Sequence, residues 1–210
     1  MTVYLLDSRD SNTYNLVHGY EELGVAVVVE PSHQRDADEV RRRMNELGAG
    51  LLVVGPGPRA PSDIPGLLPL VKELTGHVPI FGVCLGLQAL VLAHGGRIGH
   101  ARRPMHGKTS AISHGGSGLF AGIPSPFLAM RYHSLITTDT EFTVTAMCDG
   151  EIMAIEGPLF SAVQFHPESI CTQSGLQILY NSLLMAGLSA RKPRYRFGGI
   201  PPPPRAGYGV

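Results

Sequence analysis

The chain has 210 residues, 43% hydrophobic and 16% charged, with 17 Lys+Arg against 17 Asp+Glu and a formal net charge of zero. That length and composition suit a single globular domain with a sizeable core, and the balanced charge gives no ground for nucleic acid or an anionic membrane as partner. No apolar run reaches the roughly 18–20 residues of a membrane span. The start, Met1-Thr2-Val3-Tyr4-Leu5-Leu6-Asp7, lacks the basic stretch and cleavage site of a secretory signal, so the expected compartment is the cytoplasm.

The first half alternates short apolar runs with helical patterns. Val3–Leu6 reads as a strand, Asn15–Leu23 as a helix stopped by Gly24, and Val25–Val29 as a β-branched strand. Ala37–Leu47 reads as a helix stopped by Gly48, Leu51–Val54 and Ile80–Val83 as further strands, and Ala89–Ala93 as part of a buried helix. The alternation predicts right-handed βαβ units. The expected fold class is α/β, a three-layer, flavodoxin-like, mostly parallel sheet flanked by helices. In such sheets ligands bind beyond the carboxyl ends of the strands. Three loops are expected there: Asp7–Thr13, Gly55–Pro61 and the turn at Cys84.

The second half is patterned differently. Arg97–Ala101, Ser110–Ser113, Phe127–Tyr132, Phe142–Met147, Glu151–Ile155 and Ala162–Phe165 are short strand candidates separated by turn clusters, which predicts antiparallel additions to the sheet. A last helix is expected from about Gln173 to Met185. The domain is placed at residues 1–190. Residues 191–210, basic and rich in Pro and Gly, are read as a solvated tail.

The chemistry is concentrated in Gly82-Val83-Cys84-Leu85-Gly86-Leu87-Gln88. A cysteine sits at a strand-to-helix turn with glycine two residues before and two after, the nucleophile-elbow pattern with sulfur in place of a serine oxygen. The helix N-terminus beside it favours a thiolate. The other cysteines, Cys148 and Cys171, are distant and have no metal-ligand spacing, so neither a disulfide framework nor a metal site is expected. A thiol nucleophile needs a base held by a third group. Val163-Gln164-Phe165-His166-Pro167-Glu168-Ser169 offers one at the carboxyl side of a strand. If that stretch is extended, His166 and Glu168 share a face, and Glu168 can hold one imidazole nitrogen while the other meets the sulfur. Gly55-Pro56-Gly57-Pro58 follows the third strand. Gly57 is a candidate for one oxyanion donor and the Leu85 N–H for the other. His106-Gly107-Lys108 and Arg131-Tyr132-His133-Ser134 read equally well as binding loops or ordinary turns.

Taken together these motifs resemble those of class I, triad-type glutamine amidotransferases, in particular the glutaminase subunits of the anthranilate and aminodeoxychorismate synthases. The resemblance runs from residue 1 to about 187. It rests on Asp7-x-x-Asp10-Ser11-x-Thr13-Tyr14-Asn15-Leu16, Pro56-Gly57-Pro58, the Cys84 elbow, His106-Gly107-Lys108-Thr109-Ser110, Arg131-Tyr132-His133-Ser134-Leu135 and Gln164-Phe165-His166-Pro167-Glu168-Ser169. It implies that Cys84 attacks the side-chain amide of glutamine, that His166 carries the proton and that Glu168 orients His166. It further implies oxyanion donors from Gly57 and Leu85. Gly57, Gln88 and the backbone around His133, Ser134 and Leu135 would then bind glutamine. Ammonia would pass to a synthase subunit that aminates chorismate, in a heteromer. No cofactor is expected on this chain, and Mg2+ is expected on the partner.

The chain departs from the family pattern in four places. Asn12 stands where an aromatic residue is usual, Leu87 where histidine is frequent, the segment Glu156-Gly157-Pro158-Leu159-Phe160 is shorter than usual before the last strand, and no family counterpart is recognised for the tail. Two other readings share the same residues: a stand-alone elbow-cysteine hydrolase of γ-glutamyl amides, and a non-catalytic partner protein on an amidotransferase-like fold.

Overall fold

The computed structural model describes residues 1–33 and 35–193; most of the expected tail, residues 194–210, lies outside the described residues. In chain order the strands are β1 (Thr2–Asp7), β2 (Ala26–Pro31), β3 (Ala49–Val54), β4 (Ile80–Val83), β5 (Arg97–His100), β6 (Lys108–His114), β7 (Phe127–Arg131), β8 (Leu135–Asp139), β9 (Thr143–Cys148), β10 (Glu151–Gly157) and β11 (Phe160–Val163). The helices are α1 (Thr13–Glu22), α2 (Ala37–Leu47), α3 (Leu67–Leu74), α4 (Leu85–Ala93) and α5 (Gly175–Met185).

Nine strands form one sheet in the order β2-β1-β3-β4-β11-β10-β9-β6-β7, and β5 pairs with β8 in a separate ribbon. The first five strands of that order are mutually parallel. The pairs from β11 onward are antiparallel. The expected α/β class and the antiparallel additions are both observed.

The three layers follow from strand alternation. Val3 and Leu5 of β1 point to a core closed by Leu16, Val17 and Tyr20 of α1 and by Ile178, Leu179 and Leu183 of α5. Tyr4 and Leu6 point the other way, to a core closed by α2, α3 and α4 through residues such as Val40, Leu70 and Leu90. Helix α2 has the boundaries its sequence predicts, because both ends carry signals. Asp36 accepts a hydrogen bond from the Glu39 amide at 2.7 Å, and Gly48 closes the helix in the left-handed region at φ 59°; such an N-cap contributes about 1 kcal/mol.

Helix α3 and strand β8 are additions to the expected elements, and the segment leading to His166 differs from expectation. The strand expected at Ala162–Phe165 is β11, which begins at Phe160 and stops at Val163. Gln164 and Phe165 bend away, and His166 rejoins the sheet only through a single bridge to Met130, its N–H donating to the Met130 carbonyl at 3.0 Å. His166-Pro167-Glu168 is therefore a turn, not extended chain.

Because β1, β2, β3, β4 and β11 all run the same way, the loops that follow them share one edge. Their register decides what meets there. Val83 of β4 is paired with Val163 of β11, so Cys84 and Gln164 leave the sheet side by side, and the Cys84 N–H donates to the Val163 carbonyl at 2.8 Å.

Candidate active site

Cys84 is the N-cap residue of α4 and has φ 53° and ψ −98°. A non-glycine residue in that region is strained, and the tight elbow it makes turns the chain directly from strand into helix. The flanking glycines are required sterically. A Cβ on Gly82 would stand 2.9 Å from the Gly86 carbonyl carbon and 3.0 Å from its oxygen, and one on Gly86 would overlap the Val54 carbonyl oxygen. Cys84 is buried, with 6% of the residue exposed.

His166 and Glu168 are drawn together by the turn that replaces the expected extended stretch. Nδ1 of His166 is 2.6 Å from Oε1 of Glu168. The Thr172 hydroxyl, donating to the His166 carbonyl at 2.5 Å and accepting from the Met130 amide at 2.9 Å, ties the turn to β7. The imidazole is 2% exposed and the Glu168 side chain fully buried. Nε2 of His166 has no hydrogen-bond partner among the described residues, so with Nδ1 on Glu168 it is the nitrogen left to serve Cys84. Burial alone lowers the proton affinity of this imidazole, but hydrogen bonding and charge from Cys84 and Glu168 outweigh it, and the pKa stands well above the usual histidine value. Tyr132 closes the outer side, its ring edge-on to His166 at 5.2 Å between centroids.

The glycine loop after β3 reaches the elbow from the other side. A Cβ on Gly57 would meet the Leu85 side chain at 2.9 Å and the Ser8 Cβ at 2.7 Å, so Gly57 is wedged between α4 and the loop after β1. Gln88, 3% exposed, lies one turn into α4. Its Nε2 donates to the Leu135 carbonyl and to Oε1 of Gln164, both at 3.2 Å. His133 is buried, with Nδ1 at 2.9 Å from the Leu135 carbonyl, while Ser134 is exposed. The Ser134 carbonyl accepts from Ala101 at 2.8 Å and the His133 carbonyl from Met105 at 3.0 Å. The Gly107 N–H donates to the Arg131 carbonyl at 3.1 Å, so the two polar segments whose roles the sequence leaves open are stitched together.

One residue of the cluster is not singled out by the sequence. Gln164 is fully buried, and its Nε2 approaches the Cys84 sulfur at 3.6 Å while its Oε1 accepts from Gln88. Its only sequence signal is a polar amide inside an otherwise apolar run, directly before the His-x-Glu turn. The other two thiols lie elsewhere: Cys148 is buried, Cys171 exposed, and all three cysteines are free. Among the described residues no helix is long and apolar enough to cross a membrane, and no group of three or more His, Cys, Asp or Glu gathers as a metal site requires.

A strained cysteine elbow at the carboxyl edge of a parallel sheet, beside a buried His–Glu pair, defines an α/β protein built for thiol chemistry on a small carbonyl compound. The family model for glutamine amidotransferase class-I matches residues 4–186, and the chain belongs to that family. It is similar to the aminodeoxychorismate/anthranilate synthase component 2 of Bacillus subtilis, 44% identical over 85% of this chain and 94% of that one. The aminodeoxychorismate synthase of Streptomyces griseus is 43% identical over 100% of this chain and 28% of its own length. That match extends through the tail for which no family counterpart is recognised in the sequence, and this chain spans less than a third of that relative. Among solved structures, a Thermoplasma acidophilum protein described as part of a GMP synthase superposes with a TM-score of 0.78, at 25% identity, over 89% of this chain and 94% of that one.

Proposed function

We propose that this chain is a glutaminase subunit that supplies ammonia to a chorismate-aminating synthase subunit, as anthranilate or aminodeoxychorismate synthase component 2. The observation that carries the reading is the buried His166–Glu168 pair, 2.6 Å apart, beside a cysteine in a strained elbow. The names of the relatives, as component 2 of chorismate-related synthases, support a synthase partner and a heteromeric assembly.

The chemistry follows from the positions. With the proton on His166, the Cys84 sulfur attacks the side-chain amide carbon of glutamine, and the carbonyl oxygen becomes an oxyanion. The backbone N–H groups of Gly57 and Leu85 receive that charge, an arrangement whose single donors are typically worth about 10²–10³ in rate. His166 passes its proton to the amide nitrogen, the C–N bond breaks and ammonia leaves, with a glutamyl thioester on Cys84. Water then attacks the thioester carbonyl carbon, giving one proton to His166; the C–S bond breaks, the sulfur leaves as the thiolate, and glutamate is released with the thiolate–imidazolium pair restored. Glu168 holds the imidazole in register throughout. Gln88 and the backbone from His133 to Leu135 form the side on which the amino-acid end of glutamine binds. No cofactor enters these steps, and Mg2+ belongs to the partner's chemistry.

The test is the assembled complex carrying Cys84→Ser. Glutamine-dependent amination is abolished and ammonia-dependent amination is retained if the two subunits divide the work as proposed. Loss of both reactions in a correctly assembled complex contradicts it. A stand-alone hydrolase is distinguished by full glutaminase activity without any synthase subunit.

A further inference from the structure

A second cleft, of about 420 Å³, opens on the same sheet edge but on the other side of the Gly57 loop. Its position is dictated by topology. Strand order β2-β1-β3 means that the chain leaves β1 in one direction and passes back across it to reach β3. The loops after these strands diverge, leaving the crevice in which doubly wound sheets hold ligands. Ser8 and Arg9 follow β1, Ser32 and His33 follow β2, and Pro58 and Arg59 follow β3, and all of them line it. None of these residues belongs to the Cys84 cluster.

The lining is chemically specific. Arg9 and Arg59 both take left-handed backbone conformations, at φ 65° and 66°. Neither guanidinium forms an ion pair among the described residues. Asp63, the one acidic residue in the lining, already accepts from the Ala60 amide at 3.2 Å. At the floor, Ser8 and Ser32 are 7% and 1% exposed, with their hydroxyl oxygens 2.9 Å apart. One hydroxyl proton makes that bond, which leaves the second as a buried donor lining the cleft. Ile64 and Pro65 supply an apolar wall. A volume of a few hundred Å³ with an apolar wall and a few polar donors is the form of a small-molecule site, and the guanidinium groups of Arg9 and Arg59, both exposed residues of the lining, are of the kind that bind oxyanions.

We propose that this crevice binds a small organic anion, with a carboxylate or phosphate head between Arg9 and Arg59 and an apolar body against Ile64 and Pro65. The site adjoins the machinery at Cys84 mechanically. The Ser8 side chain that forms its floor also packs on Gly57, where a single added Cβ would meet both Ser8 and Leu85. An occupied crevice therefore stiffens the loop that presents the Gly57 N–H.

The test is a titration of the full chain with benzoate, phenyl phosphate and acetate, followed through the amide resonances of Ser8, Gly57 and Leu85. Benzoate or phenyl phosphate is expected to give saturable shifts at all three, and the tighter of the two identifies the preferred head group. Acetate, which has no apolar body, is expected to bind at least about tenfold more weakly, as are both aromatic probes to the double variant Arg9→Gln/Arg59→Gln. The proposal is overturned if neither aromatic probe saturates, or if the double variant, shown by its melting curve to be folded, binds them as tightly as the native chain. The readout is binding alone, so its outcome is independent of whether the chain hydrolyses glutamine.

Discussion

Arg131 donates its Nε–H to Nε2 of His133 at 3.0 Å, and this bond decides which ring nitrogen carries the proton. A guanidinium cannot accept, so Nε2 is bare and the proton sits on Nδ1, from which it is donated to the Leu135 carbonyl at 2.9 Å. The same carbonyl accepts from Gln88. Arg131 is itself buried, paired with Glu151 and 3.3 Å from the Ser110 hydroxyl. It thereby fixes the segment that faces the Cys84 elbow without approaching the cysteine.

His133 should stay neutral well below neutrality. Burial, reinforced by the charge of Arg131, pushes its pKa down to about 4. The folded value lies below the unfolded one, so the unfolded chain takes up the proton first as pH falls. The stability that His133 contributes is complete above about pH 6.5 and is lost progressively from there toward pH 4. Histidine NMR titration reads the midpoint directly, and a midpoint near 6.5 would refute the assignment. Arg131→Met leaves the partly buried Glu151 without its partner and is expected to destabilise the fold by about 1–3 kcal/mol in urea unfolding.

His166 shifts in the opposite direction. Against the lowering effect of burial, Cys84 and Glu168 raise its pKa well above the usual 6.5. The stability from its charged form is therefore present below the unfolded pKa and is lost as pH rises through the raised folded value. In the proposed mechanism the alkaline limb of kcat/KM for glutamine records the same proton loss and lies above the ordinary histidine range. Glu168→Gln should move that limb down and cost less in kcat than His166→Ala, which should cost at least about 10². An equal or larger loss in the Glu168 variant, with the limb unmoved, would remove Glu168 from its orienting role.

The elbow tolerates no extra carbon. Gly86→Ala forces a methyl group against the Val54 carbonyl oxygen, a backbone atom that cannot swing aside. A loss of about 1–3 kcal/mol in thermal or chemical unfolding is expected. Gly115→Ala is the control, since nothing lies within 4 Å of a Cβ at that position. Equal stability of the two variants would contradict the packing described around Cys84.

Local signals account for what was legible in the sequence. The Ile80–Val83 strand, the Gly48 stop and the two elbow glycines are written in consecutive residues, and the structure has them where they are read. Helix α3 was not, because Pro69 looks like a breaker. It occupies the third helical position, inside the first turn, where its missing N–H has no partner to lose. Strand β8 hides behind the polar Arg131–Ser134 segment and acquires a partner only from β5, some forty residues earlier. The His166–Glu168 contact was anticipated, but by extended geometry rather than by the turn that makes it. Gln164 meets the Cys84 sulfur through β4–β11 register, eighty residues apart in the chain, and no local pattern announces that.

The most direct measurement is mass spectrometry of the complex after reaction with a diazoketone analogue of glutamine. One adduct per chain, on the peptide containing Cys84, with parallel loss of glutamine-dependent amination and retention of ammonia-dependent amination, is the predicted result. Full glutamine hydrolysis by a chain whose Cys84 is blocked or replaced by serine would contradict the account.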